Sequence, residues 1–406
     1  MQSWINEPAK QIPVYGSYDV AVVGGGFAGI SAALSAARHG AHVLLLEKEY
    51  TLGGLATLGL ITIYLPLCDG CGRQVSFGIV EELFRLSIQH GYEGRADSVK
   101  AWMEGNDPEA RKKYRFLAQF NAPLFAILAE QLLLENGVEI LYGTSFCDVS
   151  VKDGSVDALL IESKSGRQAV LAKSVVDATG DADVFFRAGA KAMEYTPGNL
   201  LAAWYYAVED GKLALHQMGV SDSTRVEKLL NKKTYRALDA DELSEMMIET
   251  HKHIKERFLA GGDLSDEYAI ASIPTIPQIR MTRAPRCEHV MDDADDGRSF
   301  PDSIGIVSNW HLRGPVYEVP FRALYTREIK NLITAGRSVP GTDKMWDVMR
   351  VIPCCAVTGQ AAGCAAAMSS DFASLDIQAL QQKLEQDGVV LHLNQLEEKI
   401  ANESCK

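Results

Sequence analysis

The chain has 406 residues, 47% hydrophobic and 23% charged, a composition that excludes a disordered or collagen-like protein. At about 150 residues per domain, this length predicts two or three domains, enough to bury a cofactor. The 40 basic and 53 acidic residues give a net charge of −13. Such an acidic chain gains no counterion release from nucleic acid, so we expect no nucleic acid partner and no anionic membrane surface as the principal partner.

The N-terminal sequence has no cationic start followed by an apolar stretch, which argues against a secretory signal and predicts a cytoplasmic protein. The stretch closest to a membrane span, residues 352–368, is interrupted by Pro353, Thr358 and Gln360. It predicts a buried helix and no membrane span. The eight cysteines are scattered along the chain, which does not indicate a disulfide framework.

Apolar runs and helical periodicity alternate in the first half of the chain. The predicted strands are residues 19–23, 42–47, 138–142, 146–151, 156–162 and 174–178, and the predicted helices are 27–39 and 123–136. Lys152-Asp153-Gly154-Ser155 favours a hairpin turn between two of these strands. The strands that are apolar throughout are typical of a parallel sheet covered on both faces.

The character of the chain changes beyond Gly189, where aromatic and Met-bearing stretches, an acidic helix at 240–259 and a Pro-broken segment at 273–285 indicate a second domain. A strand at 331–335 and a small-residue helix at 351–369 then indicate a return to the first domain, before two short helices at 377–401. The predicted organisation is a doubly wound α/β domain at 14–190 with an active-site insert at about 61–119, an inserted α+β domain at 191–324, a returning part at 325–372 and C-terminal helices at 373–406.

Gly24, Gly26 and Gly29 form a G-x-G-x-x-G motif between the first predicted strand and helix. In such a motif the glycines allow a tight turn, close approach of a pyrophosphate and close packing of helix on strand. The alternative is an ordinary glycine-rich turn. Glu47 ends the next strand, at about the separation in sequence from the glycines that is expected for a carboxylate that accepts ribose hydroxyls. This favours a dinucleotide site over an ordinary turn. Because the carboxylate would repel a 2′-phosphate on the ribose, the site is expected to take a dinucleotide without one.

Three later segments that contain glycine help to distinguish between FAD and NAD as the cofactor. Gly53-Gly54-Leu55-Ala56-Thr57 follows Glu47 closely, and residues 175–183 and 331–337 each run a buried strand into glycine. Together they predict one long ligand crossing the carboxyl edge of one sheet. That arrangement fits FAD better than NAD.

The chain resembles the FAD-dependent oxidoreductases of the glutathione-reductase-like fold, on the branch that includes fumarate reductase flavoproteins. The resemblance covers roughly residues 18–370 and rests on D-A-T-G-D-A-D at 177–183, A-G-R at 335–337, R-V-I-P-C at 350–354 and G-Q-A-A-G at 359–363. It implies an FAD oxidoreductase with a doubly wound, Rossmann-like FAD-binding domain and an inserted α+β substrate domain.

The resemblance also implies the cofactor contacts. Gly24, Gly26, Phe27, Ala28 and Gly29 would hold the pyrophosphate, Glu47 and Lys48 the ribose, Gly54, Leu55, Ala56 and Thr57 the flavin end, Phe146 or Cys147 the adenine, Gly180 and Asp181 the adenosine and phosphate side, Gly336 and Arg337 the pyrophosphate, and Arg350 and Val351 the flavin. A helix N-terminus aimed at the flavin would raise its electron affinity. Fumarate reductase relatives that bind flavin covalently carry a histidine before the second glycine cluster. Residues 49–57 contain no histidine, so the resemblance implies non-covalent FAD. The chain has no second G-x-G-x-x-G motif, so a separate NAD(P)H domain is not expected.

The candidate catalytic residues lie in the second predicted domain. The resemblance places the segment of Arg280 and Arg283, and the one ending at His311, on the substrate side of the flavin, with Tyr317 nearby in sequence. His311 is the first candidate for general acid or base, against a structural or surface role. Arg280 and Arg283 could clamp a carboxylate or polarise a carbonyl, against structural ion pairing. The family often carries a histidine where this chain has Gly341-Thr342-Asp343, so that role is vacant or has passed to Asp343.

The cysteines suggest further alternatives. Cys68 and Cys71 form a C-x-x-C that could be a redox dithiol, half of a metal site or two unrelated thiols. No second C-x-x-C or H-x-x-H accompanies it, so we expect no metal site. Cys354 and Cys355 could be redox active, although packing explains them as well.

The expected activity is exchange of a hydride between flavin N5 and a small organic substrate, as alcohol or amine oxidation or C=C reduction, with an unidentified electron acceptor or donor. The alternatives are an electron-transfer flavoprotein that works with a partner protein, an NAD-dependent dehydrogenase and a non-redox flavoprotein. The sequence leaves the direction of the reaction and the formation of a homo-oligomer open.

Overall fold

The computed structural model describes residues 5, 9–105, 107–220 and 228–397. The strands are β1 Val14–Val23, β2 Val43–Leu46, β3 Ile63–Tyr64, β4 Ala118–Gln119, β5 Glu139–Leu141, β6 Ser145–Lys152, β7 Ser155–Ser163, β8 Gly166–Asp177, β9 Ala192–Glu194, β10 Asn199–Leu200, β11 Ala202–Glu209, β12 Lys212–Gly219, β13 Thr234–Tyr235, β14 Ala269–Ser272, β15 Arg283–Pro285, β16 Ser303–Ser308, β17 Val316–Pro320 and β18 Leu332–Thr334. The helices are α1 Phe27–Arg38, α2 Ile79–Ser87, α3 Ala96–Val99, α4 Pro108–Lys113, α5 Ala122–Glu135, α6 Asp183–Arg187, α7 Ala240–Gly261, α8 Asp343–Met349, α9 Ile352–Met368 and α10 Ile377–Gln386.

The main sheet has the strand order β5-β2-β1-β8-β7-β6, and β18 also pairs with β8. β5, β2, β1, β8 and β18 are parallel to one another, whereas β7 is antiparallel to both β8 and β6. β8 has two partners on one side because it is long: residues 166–170 pair with β7, and residues 175–177 pair with β18. This sheet confirms the doubly wound α/β prediction.

Both faces of the sheet are covered, which explains why its central strands are apolar throughout. All four residues of β2 are buried. Val20 and Val22 of β1 belong to the large core with α1 and α9, whereas Ala21 and Val23 face a second core that includes Phe185 of α6. Alternate residues of one strand therefore pack into two different hydrophobic layers.

α1 and α9 pack unusually close together. A Cβ atom on Gly359 would lie 2.3 Å from the carbonyl oxygen of Ala28, and one on Gly363 would lie 2.0 Å from that of Ala32. Neither distance is compatible with a side chain, so the small residues of α9 are required by packing.

The inserted region contains its own small sheet, in which β11 pairs with β12 and β14, both antiparallel. α7 buries one face at helical spacing, with Met246, Thr250, Ile254 and Phe258 turned inward. Ile254 packs with residues of β11. The inserted α+β region is thus confirmed; its exact domain boundaries stay predictions.

Most predicted elements are confirmed with changes of bounds, the largest being at β8, which begins at Gly166 instead of residue 174, and at β1, which begins at Val14 instead of residue 19. The predicted turn between β6 and β7 is confirmed, and Asp153 and Gly154 both have positive φ there. Of the two C-terminal helices, α10 is confirmed; residues 393–397 are helical, and the rest of that prediction lies outside the described residues.

Among the described residues, no single helix has the length and apolar character needed to cross a bilayer. α8 and α9 together meet that test of length and composition, but they join at a bend of 79°. α9 is buried along most of its length.

Candidate active site

Four parallel strands end level at one edge of the main sheet. Val23 at the end of β1 pairs with Leu46 of β2 and with Asp177 of β8, and Asp177 pairs with Thr334 of β18. The residues that follow are Gly24, Glu47, Ala178 and Ala335. The motifs predicted to bind one long ligand therefore meet at the carboxyl edge of one sheet, where such folds bind dinucleotides.

The three glycines of the first loop differ in what surrounds them. A Cβ on Gly24 would lie 2.5 Å from Ala178 O, and one on Gly29 would lie 1.8 Å from Gly24 O, so both are required by the fold. A Cβ on Gly26 meets nothing within 4 Å. Gly26 is also the N-cap of α1, which has no side-chain cap and no acidic residue in its first turn. This helix N-terminus, which includes Phe27 and Ala28, is therefore open to an anion.

Glu47 lies beside this loop. Its carboxylate accepts hydrogen bonds from the backbone N–H of Gly25 at 2.7 Å and of Glu49 at 2.9 Å. Burial raises the pKa of Glu47 and outweighs these hydrogen bonds, which act in the opposite direction. The carboxylate keeps lone pairs for ribose hydroxyls. Lys48 is exposed.

The second glycine cluster is held against the first. The N–H of Gly53 donates to Gly25 O at 2.8 Å, and a Cβ on Gly54 would lie 3.3 Å from Gly26 Cα. Gly54–Ala56 is a turn of 3₁₀ helix, and Thr57 Oγ1 donates to Leu52 O at 2.6 Å. The predicted flavin segment therefore runs directly alongside the predicted pyrophosphate loop.

The D-A-T-G-D-A-D segment is organised by Asp177, which is fully buried. Its carboxylate accepts hydrogen bonds from Thr179 and from the N–H groups of Val184 and Phe185. Burial raises the pKa of Asp177 to about 6. The segment thus forms a rigid turn that leads from β8 into α6.

Arg337 lies across the next part of this turn. A Cβ on Gly180 would touch the guanidinium at 2.6 Å, and Arg337 Nη1 lies 3.2 Å from the carboxylate of Asp181. Gly336 has a φ of +82°, and its N–H donates to Thr358 of α9. The structure therefore joins the A-G-R segment both to β8 and to α9.

Two further segments carry predicted cofactor contacts. Val351 is the N-cap of α9, which has no side-chain cap, and Arg350 precedes it. The N–H of Thr144 donates to Glu47 O, so the start of β6 with the half-buried Phe146 and Cys147 adjoins Glu47. The cofactor contacts of these four residues stay predictions.

The residues present fit FAD. Two helices whose N-termini lack side-chain caps face this edge, open space lies over Gly26, and a buried carboxylate follows β2. Phosphates suit the helix N-termini and ribose hydroxyls suit Glu47.

His311 lies in the loop between β16 and β17, and its Nε2 is hydrogen-bonded to the carboxylate of Asp347 in α8. The imidazole also packs on Trp310, with ring centres 3.6 Å apart. Arg350 donates to the other oxygen of Asp347 through Nε at 2.7 Å and Nη2 at 2.6 Å. His311 is 40% exposed, so one of its faces is open to solvent or substrate.

Asp347 is ionised in this cluster. Burial acts to raise its pKa, but the hydrogen bond from His311 and the charge and hydrogen bond of Arg350 outweigh burial and lower the pKa to about 2. Asp343 lies one turn earlier and is exposed. In this helix, the carboxylate that meets a histidine is therefore Asp347.

The His311 loop is fixed to the insert. Arg115 donates to the carbonyl oxygens of Trp310 and Asn309, both at 2.7 Å. Asn309 Oδ1 accepts from the N–H of His311, and its Nδ2 lies 3.4 Å from the hydroxyl of Tyr317. Tyr317 is 2% exposed, and burial raises its pKa. Tyr317 and His311 thus belong to one hairpin and share Asn309 as a hydrogen-bond partner.

The two candidate arginines have different surroundings. Arg283 donates to Asp181 O and to the carboxylate of Asp183 at 2.8 Å, and its guanidinium lies 3.9 Å from the ring centre of Phe186. These contacts are those of a structural ion pair. Arg280 is 3% exposed, and its Nη1 donates to Leu200 O.

The cysteines show no disulfide among the described residues. Cys68 is buried and accepts a hydrogen bond from the N–H of Phe116, whereas Cys71 is exposed. Burial raises the pKa of Cys354, and raises that of Cys355 to about 12. These environments favour packing over redox use.

Sequence reasoning missed Asp347, Trp310 and Arg115. The spacing of Asp347 and Arg350, three residues apart, was the available signal for an ion pair on one helix face. Nothing in the local sequence connects Asp347 with His311 or Arg115 with the loop, because both contacts join distant segments.

Two named proteins match short parts of the chain. A thioredoxin reductase of Ureaplasma parvum is 30% identical over 82 residues, which are 20% of this chain and 26% of that protein. A vinyl phenol reductase of Lactiplantibacillus plantarum is 57% identical over 49 residues, which are 12% of this chain and 10% of that protein. The matches thus span about a quarter and a tenth of these relatives.

The family comparison covers far more of the chain. A solved geranylgeranyl bacteriochlorophyll reductase-like protein of Thermoplasma acidophilum aligns with 92% of this chain and 82% of its own, at 15% identity and a TM-score of 0.47. The family model described as FAD dependent oxidoreductase matches residues 19–194 and 190–384. The chain therefore belongs to the FAD dependent oxidoreductase family, and its cofactor is FAD.

Proposed function

We propose that this enzyme exchanges a hydride between N5 of FAD and a small organic substrate, while His311 moves the accompanying proton. The observation that carries the proposal is the double attachment of α8. Trp346 Nε1 donates to Arg337 O at 2.7 Å, and Asp347, the next residue, is bonded to His311. One helix thus joins a titratable side chain to the A-G-R segment of the FAD edge.

The division of labour follows from the groups present. FAD, when bound, supplies the two-electron chemistry. In an oxidation, His311 accepts the proton of a substrate hydroxyl or amine as the hydride leaves the adjacent carbon. In the reduction of a C=C bond, His311 donates a proton to one carbon while the hydride adds to the other.

A substrate carbonyl or carboxylate needs a cationic partner, and Arg280 is the candidate in the inserted region. Its backbone carbonyl lies 3.4 Å from Arg337 Nη1, so this segment adjoins the FAD edge. Arg283, whose guanidinium donates to the carboxylate of Asp183, supports the same segment. We assign substrate polarisation to Arg280 because its segment adjoins the FAD edge.

The test is the visible spectrum of the purified holoenzyme, followed anaerobically while alcohols, amines and hydroxy acids are added. The panel of unsaturated compounds, offered to chemically reduced enzyme, includes vinyl phenols because of the reductase that shares a segment with this chain. Bleaching or reoxidation by one compound class supports the proposal. H311Q should slow that step about 100-fold or more. A flavin whose redox state responds to no small molecule, but only to a partner protein, would contradict the proposal.

A further inference from the structure

We propose that Asp347 is a positioning residue for His311, holding the imidazole in the tautomer that carries hydrogen on Nε2 and leaving Nδ1 to exchange the proton. The inference rests on the proposed role of His311 and adds to it the nitrogen that acts. It begins from the hydrogen bond between His311 Nε2 and Asp347 Oδ2.

The charge of Asp347 decides the direction of this hydrogen bond. An ionised carboxylate can only accept, so the hydrogen lies on Nε2 of His311. Arg350 reinforces this arrangement because both of its contacts are to Oδ1. Oδ2 is consequently left for His311, and the two partners do not compete for one oxygen.

The orientation of the imidazole is fixed from several sides. Trp310 packs on its face, and Trp310 Nε1 donates to the backbone carbonyl of Asp347 at 3.0 Å. The loop itself is held by Arg115. Ring, loop and helix are thus locked together, a geometry suited to directing one nitrogen of His311 at a substrate.

A second histidine–aspartate pair provides a control within the same chain. His39 Nε2 lies 2.9 Å from Asp387, where the end of α1 meets the end of α10. Neither residue belongs to the FAD edge or to the His311 loop. The pair has the same chemistry as His311 and Asp347 without their location.

The most informative substitution is D347N. Because Arg350 donates to the Oδ1 position, the amide of D347N places its oxygen there and turns its NH₂ toward His311. Nε2 must then accept, which transfers the hydrogen of the neutral imidazole to Nδ1. The substitution keeps the size of the side chain while exchanging the two ring nitrogens.

The experiment is nitrogen NMR of the holoenzyme labelled with ¹⁵N-histidine, with the His311 signals assigned by their loss in H311Q. In wild-type protein Nε2 should carry the hydrogen, and in D347N Nδ1 should carry it. Substrate-dependent flavin reduction in D347N should be slowed about 100-fold or more, with KM and FAD binding unchanged. D387N should change neither the His311 signals nor the rate.

Each outcome decides a separate question. A wild-type His311 with hydrogen on Nδ1 overturns the inference without need of any variant, and so does a D347N protein that reverses the tautomer at full rate. An H311Q protein with the wild-type rate would instead overturn the acid–base role in the proposed function. Because the spectrum of wild-type protein is informative by itself, poor folding of D347N does not remove the test.

Discussion

The carboxylate of Glu47 accepts a hydrogen bond of 2.7 Å from the backbone N–H of Gly25, across the gap between two neighbouring parallel strands. This contact fixes the buried carboxylate beside the N-terminus of α1. It connects the two parts of a dinucleotide site that are separate in sequence, the loop for the phosphates and the acceptor for the ribose.

E47Q should weaken FAD binding about 10-fold to 100-fold, because a hydrogen bond to a charged acceptor is worth about 1.5–3 kcal/mol. Titration of apo-protein with FAD, followed by flavin fluorescence, measures the dissociation constant. E139Q is the matched control, since Glu139 is a half-exposed carboxylate on β5. An E47Q protein that binds FAD like the E139Q protein would argue against a ribose contact.

G363A should destabilise the fold by about 3 kcal/mol or more, because its Cβ would lie 2.0 Å from Ala32 O and would force α1 and α9 apart. The thermal midpoint of the apo-protein measures the effect, which should be a loss of several degrees. G26A is the control, since a Cβ there meets nothing within 4 Å. Equal midpoints for G363A and G26A would contradict the close packing of the two helices.

D177N should change how stability depends on pH. Burial raises the pKa of Asp177 to about 6 in the folded protein, from 3.8 when exposed, so the wild-type fold binds a proton here as the pH falls from 7 to 5. That uptake stabilises wild-type protein by about 1 kcal/mol over this interval, and a variant that cannot titrate lacks it. The thermal midpoint of wild type minus that of D177N should therefore rise as the pH falls from 7 to 5. If this signed difference fell instead, the pKa of Asp177 would not be raised in the folded protein.

Thiol labelling of the native protein should distinguish Cys71 from Cys68. Cys71 is exposed, whereas Cys68 is buried and its pKa is raised by burial. C71S should therefore remove one rapidly labelled thiol, and C68S should leave the number of rapidly labelled thiols unchanged. If oxidation of the native protein protected both cysteines together, the two thiols would have joined in a disulfide and would be a redox-active pair.

The glycine loops and parallel strands could be predicted because each is a local pattern of about ten residues. Pairing of Val23, Leu46, Asp177 and Thr334 in one register then follows from the rules of parallel sheets. α8 was not predicted, because seven residues after Pro340 and Gly341 give too short a period to recognise.

The candidate site was less predictable than the fold. His311 stood out by its residue type, but its partner Asp347 is 36 positions away and belongs to the helix that sequence reasoning missed. Arg283 was a candidate by the same reasoning, and its contact with Asp183 depends on how β15 and α6 come together. Such pairings are decided by tertiary packing, which single-sequence patterns do not contain.

The most direct test of the central claim, that FAD lies along this edge of the sheet, compares FAD binding by wild-type and G26A apo-proteins. The added methyl group enters the open space over the α1 N-terminus and touches no protein atom within 4 Å. The account predicts an unchanged thermal midpoint for the apo-protein, together with FAD binding weakened at least 10-fold. A G26A protein that binds FAD as tightly as wild type would show that the pyrophosphate does not lie at this glycine.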